Sequence, residues 1–555
     1  MMLPTSSGDY RITSRSTGSF WALTAGRDGA SSVNNYMYTG ATDQKWVFET
    51  IANKSTPFNA FSSFSIGDDN MSGYNHFNNY LEGRTLNSKR YYPLVKFNYT
   101  LGKISKTSLI ESLTCSDVAF IDSHATATGI WMKDNTGTQY DTIRLASDIG
   151  TNFKTGSTTI TNTPFNKKTK WIIIQACSQL NYTDGGTADD NSALQWAKAL
   201  LGDGVRMHGV LGYYGSGPEG DIAGSKLEIF MASQINLSSR PNMITGWKLA
   251  NESLSGSSSW AGICHRANLD DKLYWGWTAN TAKGSAYTID RYSYKNGTQK
   301  PLPVSTAKIS PNSDSTMNLL LENENIANQK FTLESKAFTS TQLQKIRNTL
   351  NSDNLNISLD GKLTYLDSLA SPTEATSTLE WTEEQAIRQA KEYLDTLGLL
   401  PQNNYLVKTS TTVREELDVF NETVSSAQTV GWTIRFYQTQ NGVPVVSSED
   451  NGILMTISEK GLHSLQYNWG NIVPVSQTKG LNSDCETLLS KNEAIKKYCN
   501  KVSVENVDVH RNVCYRQVYV YQHDALIPAW VFGAEDAFFE PTYINALTGE
   551  TLHIN

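Results

Sequence analysis

Two residues of this chain have the type and setting for nucleophilic catalysis. Cys177 closes the run Trp171-Ile172-Ile173-Ile174-Gln175-Ala176, and His124 closes Val118-Ala119-Phe120-Ile121-Asp122-Ser123. A thiol is a strong nucleophile only as the thiolate, and a neighbouring imidazole can take its proton and later give it to a leaving group. Apolar strand-like runs that stop on a polar residue place that residue beyond the carboxyl edge of a sheet, where open α/β sheets bind ligands. Adjacent parallel strands ending in His and Cys bring the two side chains together without any closeness in sequence. The chemistry this predicts is cysteine-dependent acyl transfer, which also needs backbone N–H donors for the oxyanion.

Such placement requires strands that end at one edge, and residues 55–297 alternate accordingly. SDVAFIDSHA (116–125) and KWIIIQACSQ (170–179) read as strands. SALQWAKALLGDG (192–204) has Leu194, Ala197 and Leu201 at helical spacing and a stop at Gly202. VRMHGVLGYYG is a further buried-strand candidate, followed by the helical DIAGSKLEIFMASQI. This alternation predicts βαβ units and an α/β fold with a parallel-rich sheet flanked by helices. Residues 298–315, rich in Pro, Ser and Thr without periodicity, read as a linker. Beyond it a helix followed by a β meander occurs twice. Each helix opens on a capping box, Thr382 with Gln385 and Ser490 with Glu493. Two C-terminal α+β modules, 316–480 and 481–555, are therefore expected. Residues 1–54 form a β-rich N-terminal segment of short alternating stretches that includes Gln44-Lys45-Trp46.

The order strand–His, helix, strand–Gln-Ala-Cys, helix, strand resembles the caspase-like (clan CD) cysteine peptidase domain over roughly residues 100–240. Gln175-Ala176-Cys177 matches the Q-A-C of caspases. The resemblance implies Cys177 as nucleophile and His124 as general base and later acid. It also implies an oxyanion hole from the backbone N–H groups of Cys177 and Ala125, and a place for Gln175 in the substrate pocket. Ala125 stands where the family usually has Gly, and Gln179 stands where caspases have Gly after the Cys. In the C-terminal region, IRFYQTQNGVPVV looks like the FTP module and PAWVF with PTYINALTGETL looks like the PepSY module. Both belong to propeptides of secreted thermolysin-type metallopeptidases, which implies inhibition, chaperoning or targeting. Gln44-Lys45-Trp46 is similar to the signature of one ricin-type β-trefoil repeat, a fold that needs three. The expected function is a cysteine endopeptidase acting on a protein or peptide. The alternatives are a catalytically inactive peptidase-like binding protein and an extracellular carbohydrate-binding protein.

The loop after Cys177 carries Asp184, Asp189 and Asp190. These acids fit a pocket for a basic substrate residue, a calcium site or a solvated loop, and the sequence leaves all three open. No C-x-x-C or H-E-x-x-H motif is present, so no metal site is expected, and calcium is the one cofactor the acids allow. A net charge of −7 without a basic cluster argues against nucleic acid as the partner. No apolar run approaches the ~20 residues of a membrane span. MMLPTSSGDY lacks the basic and apolar regions of a signal peptide, whereas only 18% charged residues, with plentiful Asn, Ser, Thr, Gly and Tyr, point to an exported protein. Six cysteines are too few for a disulfide scaffold. GSGPEG (215–220) matches G-x-G-x-x-G, but no strand ending in an acid follows, so a loop rimming the Cys177 site is expected instead. His208, inside an apolar run, reads as a core histidine.

Overall fold

The computed structural model of the chain divides into two compact units, residues 1–56 and 57–555. In the first the structure describes 2–4, 10–12, 21–25 and 33–37. In the second it describes 60–66, 72–81, 85–86, 89–90, 95–99, 105–149 except 135, 169–182, 191–201, 207–236 except 219, 241–252, 259–273, 288–296, 305–308, 331–350, 354–374, 377–401, 405–447, 451–474, 488–504, 512–522, 525–534 and 542–552. In the first unit Met2–Pro4 pairs with Tyr10–Ile12, and Trp21–Ala25 pairs with Val33–Met37, both antiparallel. Gln44, Lys45 and Trp46 lie outside the described residues.

In the second unit β1 (Ala60–Ser65), β2 (Val95–Tyr99), β3 (Val118–Asp122), β4 (Trp171–Gln175) and β5 (Gly209–Tyr213) run parallel in the order β2-β1-β3-β4-β5. β6 (Trp260–Cys264) and β7 (Thr288–Asn296) follow antiparallel. Helices α1 (Ser72–Leu81), α2 (Lys106–Cys115), α3 (Ser192–Leu201), α4 (Gly220–Asn236) and α5 (Met243–Asn251) cover the two faces. Strand side chains alternate between faces, so a strand covered on both sides must be apolar throughout. Ala119, Ile121, Ile172, Ile174 and Val210 share one core with α2 and α3. Val118, Phe120, Trp171, Ile173 and Leu211 share the other with α1, α4 and α5. Gly209 is required where it stands: an added Cβ would lie 2.4 Å from the Trp171 ring.

The sheet does not stop at β7. β7 pairs antiparallel along its whole length with a strand from the C-terminal half, from Thr288 opposite Asp418 to Asn296 opposite Ser410. β8 (Leu355–Ile357), β9 (Leu363–Leu366), β10 (Tyr405–Asp418), β11 (Gln428–Gln440), β12 (Gly452–Ser458) and β13 (Gly461–Asn468) extend it in the order β10-β11-β12-β13-β9-β8. The parallel block is thus one part of a large mixed sheet. On one face of the extension, α6 (Ser340–Thr349) and α7 (Glu383–Leu397) pack Ile346, Ala386, Ala390 and Leu394 against Ile434, Phe436, Met455 and Leu465. The capping boxes of α7 (Thr382 with Gln385) and of α8 (Lys491–Val504, Ser490 with Glu493) both form.

The other face of the extension is polar and meets α5. Lys248 and Glu252 are buried there and paired at 2.7 Å, and both bond the Thr433 hydroxyl. Lys248 also reaches Thr456, and Arg435 donates to the Glu252 carbonyl at 2.8 Å. Burial opposes charge on Glu252, yet Lys248 and Arg435 together hold its carboxyl below the ordinary carboxylate value. A smaller sheet is built on Asn512–Gln522 and Ala525–Ala534. Ser305–Lys308, within the stretch read as linker, pairs with Asn512–Gln522 in that sheet. No described helix is long and apolar enough to cross a membrane.

Candidate active site

In the parallel pairing of β3 with β4, Asp122 is opposite Gln175. His124 and Cys177 therefore each sit two residues past a matched pair, at the carboxyl ends of strands about 4.8 Å apart. Both are half-buried and line one narrow cleft with Asp122, Ser123, Gln175, Ala176, Gly217 and Pro218. The ladder runs on past the strand ends, with the Ser123 N–H donating to the Gln175 carbonyl at 3.2 Å.

The His124 side is a tight hairpin. Ala125-Thr126 pairs with Gly129-Ile130, and the Trp131 N–H donates to the His124 carbonyl at 2.9 Å. In an antiparallel ladder bonded and non-bonded positions alternate, so the Ala125 N–H is turned away from its hairpin partner. The hydroxyl of buried Ser123 donates to the Trp131 carbonyl at 2.6 Å and fixes the start of the hairpin. The imidazole lies beside the Trp131 ring, with centroids 6.1 Å apart.

The Cys177 side is a turn that only a special backbone conformation allows. Ser178 has φ +56°, in the left-handed region that costs a residue bearing Cβ. Its N–H donates to the Gly215 carbonyl at 2.7 Å, and its own carbonyl accepts from the Ser192 hydroxyl at the start of α3, 2.6 Å away. Leu180 N–H donates to the Tyr213 carbonyl at 2.8 Å. Gln179, in place of a glycine, is fully buried and donates through Nε2 to the Thr126 carbonyl at 2.8 Å. That bond ties the cysteine turn to the histidine hairpin.

Gly217, from the GSGPEG loop, donates its N–H to the Cys177 sulfur at 3.4 Å. A backbone N–H aimed at sulfur favours the thiolate. That loop rims the cleft as its glycines and position suggested. Cys177 and Cys264 are both thiols, and they differ sharply in setting. Cys264 is fully buried in β6, where burial pushes its thiol well above the ordinary value.

The inner end of the cleft is polar. Gln175 is 3% exposed, and neither amide atom has a hydrogen-bond partner. Its Oε1 points at the first turn of α1, where a Cβ added to Gly73 would come within 1.9 Å of it and within 3.0 Å of Asp122 Oδ2. Asp122 was not expected from sequence as a site residue, though it stands two positions before His124 just as Gln175 stands two before Cys177. Asp184, Asp189 and Asp190 lie outside the described residues. His208 is far from this edge: it precedes β5 at the opposite end and pairs, fully buried, with Asp271, which also accepts from Trp171 Nε1. Neither a family model nor a curated protein matches the chain.

Proposed function

We propose that the protein is a cysteine endopeptidase in which Cys177 attacks a peptide carbonyl and His124 accepts the thiol proton, then protonates the departing amine. The observation that carries this reading is the register of β3 and β4, which sets the two residues at equivalent positions on neighbouring parallel strands over a shared cleft. The arrangement also agrees with the resemblance to caspase-like peptidases. Gly217 supplies a donor to the sulfur, and the Ala125 and Cys177 N–H groups are the candidates for the oxyanion. The buried Gln175 amide and the Asp122 carboxylate form the polar end of the cleft, which favours a cationic or donor-rich side chain next to the scissile bond.

The test is alkylation of the full chain with iodoacetamide across pH 5–9, with each modified cysteine located by peptide mass mapping. Cys177 should react rapidly at pH 6 and lose that rate in His124→Ala, while buried Cys264 stays unreacted as the internal reference. A Cys177 profile like that of an ordinary thiol of pKa ~8.5 overturns the reading. On fluorogenic peptides, Cys177→Ala should abolish turnover and His124→Ala should lower it about 10²–10⁴-fold. Peptides with Arg or Lys before the scissile bond should be cleaved in preference to those with Asp.

A further inference from the structure

The turn that carries Cys177 is gripped by a side chain whose charge partner comes from the C-terminal half. Arg291, on β7 and 5% exposed, donates through Nε and Nη2 to the Leu180 carbonyl at 3.3 and 3.2 Å. Its Nη1 bonds the Ser293 hydroxyl at 3.2 Å and pairs with the Glu415 carboxylate on β10. The guanidinium lies 5.8 Å from the centre of the Tyr214 ring. A planar guanidinium holds two acceptors in fixed directions, and its charge stays buried only when a counter-charge is fixed beside it. Glu415 is that counter-charge, and the Leu180 carbonyl is the second acceptor. Leu180 is three residues past Cys177, so the grip acts on the same turn as the Ser178 and Gln179 bonds.

We infer that Glu415 is a positioning residue for the Cys177 site. Acting through Arg291, it fixes the Leu180 carbonyl and with it the backbone of 177–180. The C-terminal half then completes the site from behind instead of serving as a detachable cover, and the β7–β10 pairing makes the attachment continuous. The functional meaning of the grip rests on the peptidase reading, whereas the grip itself does not.

The experiment compares the full chain with Glu415→Gln, Glu415→Asp, the double variant Arg291→Met/Glu415→Leu, and Glu422→Gln. Glu422→Gln breaks the Lys198–Glu422 pair between the same two halves without touching the turn. Amide exchange is read on peptides covering 176–182, and Cys177 alkylation is followed against pH. In Glu415→Gln and in the double variant, exchange at the Ser178 and Leu180 amides should quicken at least about tenfold, as for loss of a charge-assisted hydrogen bond. Glu415→Asp should restore slow exchange, and Glu422→Gln should leave it unchanged. The double variant keeps the test open if Glu415→Gln does not fold, because apolar replacement of a buried ion pair tends to preserve stability. Unchanged exchange in the double variant, or the same acceleration in Glu422→Gln, overturns the inference. The wild-type alkylation profile separates the two claims. An ordinary profile with a loosened turn in the variants sinks the peptidase reading and leaves the grip standing. An activated Cys177 whose profile and exchange do not respond to Glu415→Gln does the reverse.

Discussion

At Ser178 the chain accepts an unfavourable backbone conformation beside its candidate nucleophile, and the turn's hydrogen bonds hold it there. Ser178→Gly should therefore shift stability by less than about 1 kcal/mol, because glycine adopts positive φ freely. Ser178→Val should cost more, on the order of 1–2 kcal/mol, because a β-branched residue fits that region worst. Urea unfolding of both variants checks the contrast, and equal losses would show that the strain is not real. The two central residues were legible in sequence because each terminates a five-residue strand that is buried on both faces. Gln179 was not. It stands where caspases have glycine, and in the structure it ties the two halves of the site together at Thr126. Nothing local in the sequence marks that bond, because Thr126 belongs to a hairpin on another strand. Asp122 and Gly73 escaped notice for the same reason: they join the cleft only when β3 and α1 are laid beside β4.

Elements were readable where one signal dominated. The α7 capping box places Thr382 Oγ1 on the Gln385 N–H at 3.2 Å and the Gln385 side chain on the Thr382 N–H at 2.8 Å. Thr382→Ala should cost about 1 kcal/mol, seen as a lower urea midpoint at an unchanged slope, since the cap is lost without altering the surface exposed on unfolding. No loss would mean that water caps the helix equally well. α6 carries the same signature, Thr339 with Gln342, but its pattern is faint because Ile346 is the one buried residue of its ten. β7 escaped pattern reading for a different reason. It lies in the middle of the sheet yet buries Asp290, Arg291 and Ser293. Its charges are matched from neighbours, Asp290 by Arg266 and Arg291 by Glu415, so a strand that reads as polar is stable only in its final surroundings. This is also why the C-terminal half looked like a separate set of modules: the sheet passes from one to the other through its most polar strand.

On the scale of the molecule, the two halves of the large sheet share both core and charge. Leu417 and Val419, from the C-terminal half, sit in the same apolar core as Ile121, Ile174 and Ala193. Residues 57–297 alone would expose that face, so the full chain is the proper subject for every activity test. The polar side of the joint makes it sensitive to acid. His463, on β13, is fully buried; its Nδ1 donates to the Asp367 carbonyl at 2.7 Å, and its Nε2 has no hydrogen-bond partner. Burial first, and Lys248 nearby, lower its pKa from the ordinary value to about 3 despite the carbonyl bond and Glu252. The unfolded chain therefore binds a proton at this residue below pH ~6.5 that the folded protein refuses until pH ~3, so stability is full above that window and falls through it as pH drops. The loss approaches about 1.4 kcal/mol per pH unit across the window, and Glu252, held ionised, adds its share only at the lower, carboxylate end. Urea midpoints of the wild type should decline from near pH 6.5, well before carboxylates titrate. In His463→Gln, which removes the titrating ring, the decline should begin only near pH 4.5. Superimposable curves would mean that His463 takes up its proton in the folded protein as readily as in the unfolded chain, and that the joint is not what acid loosens first.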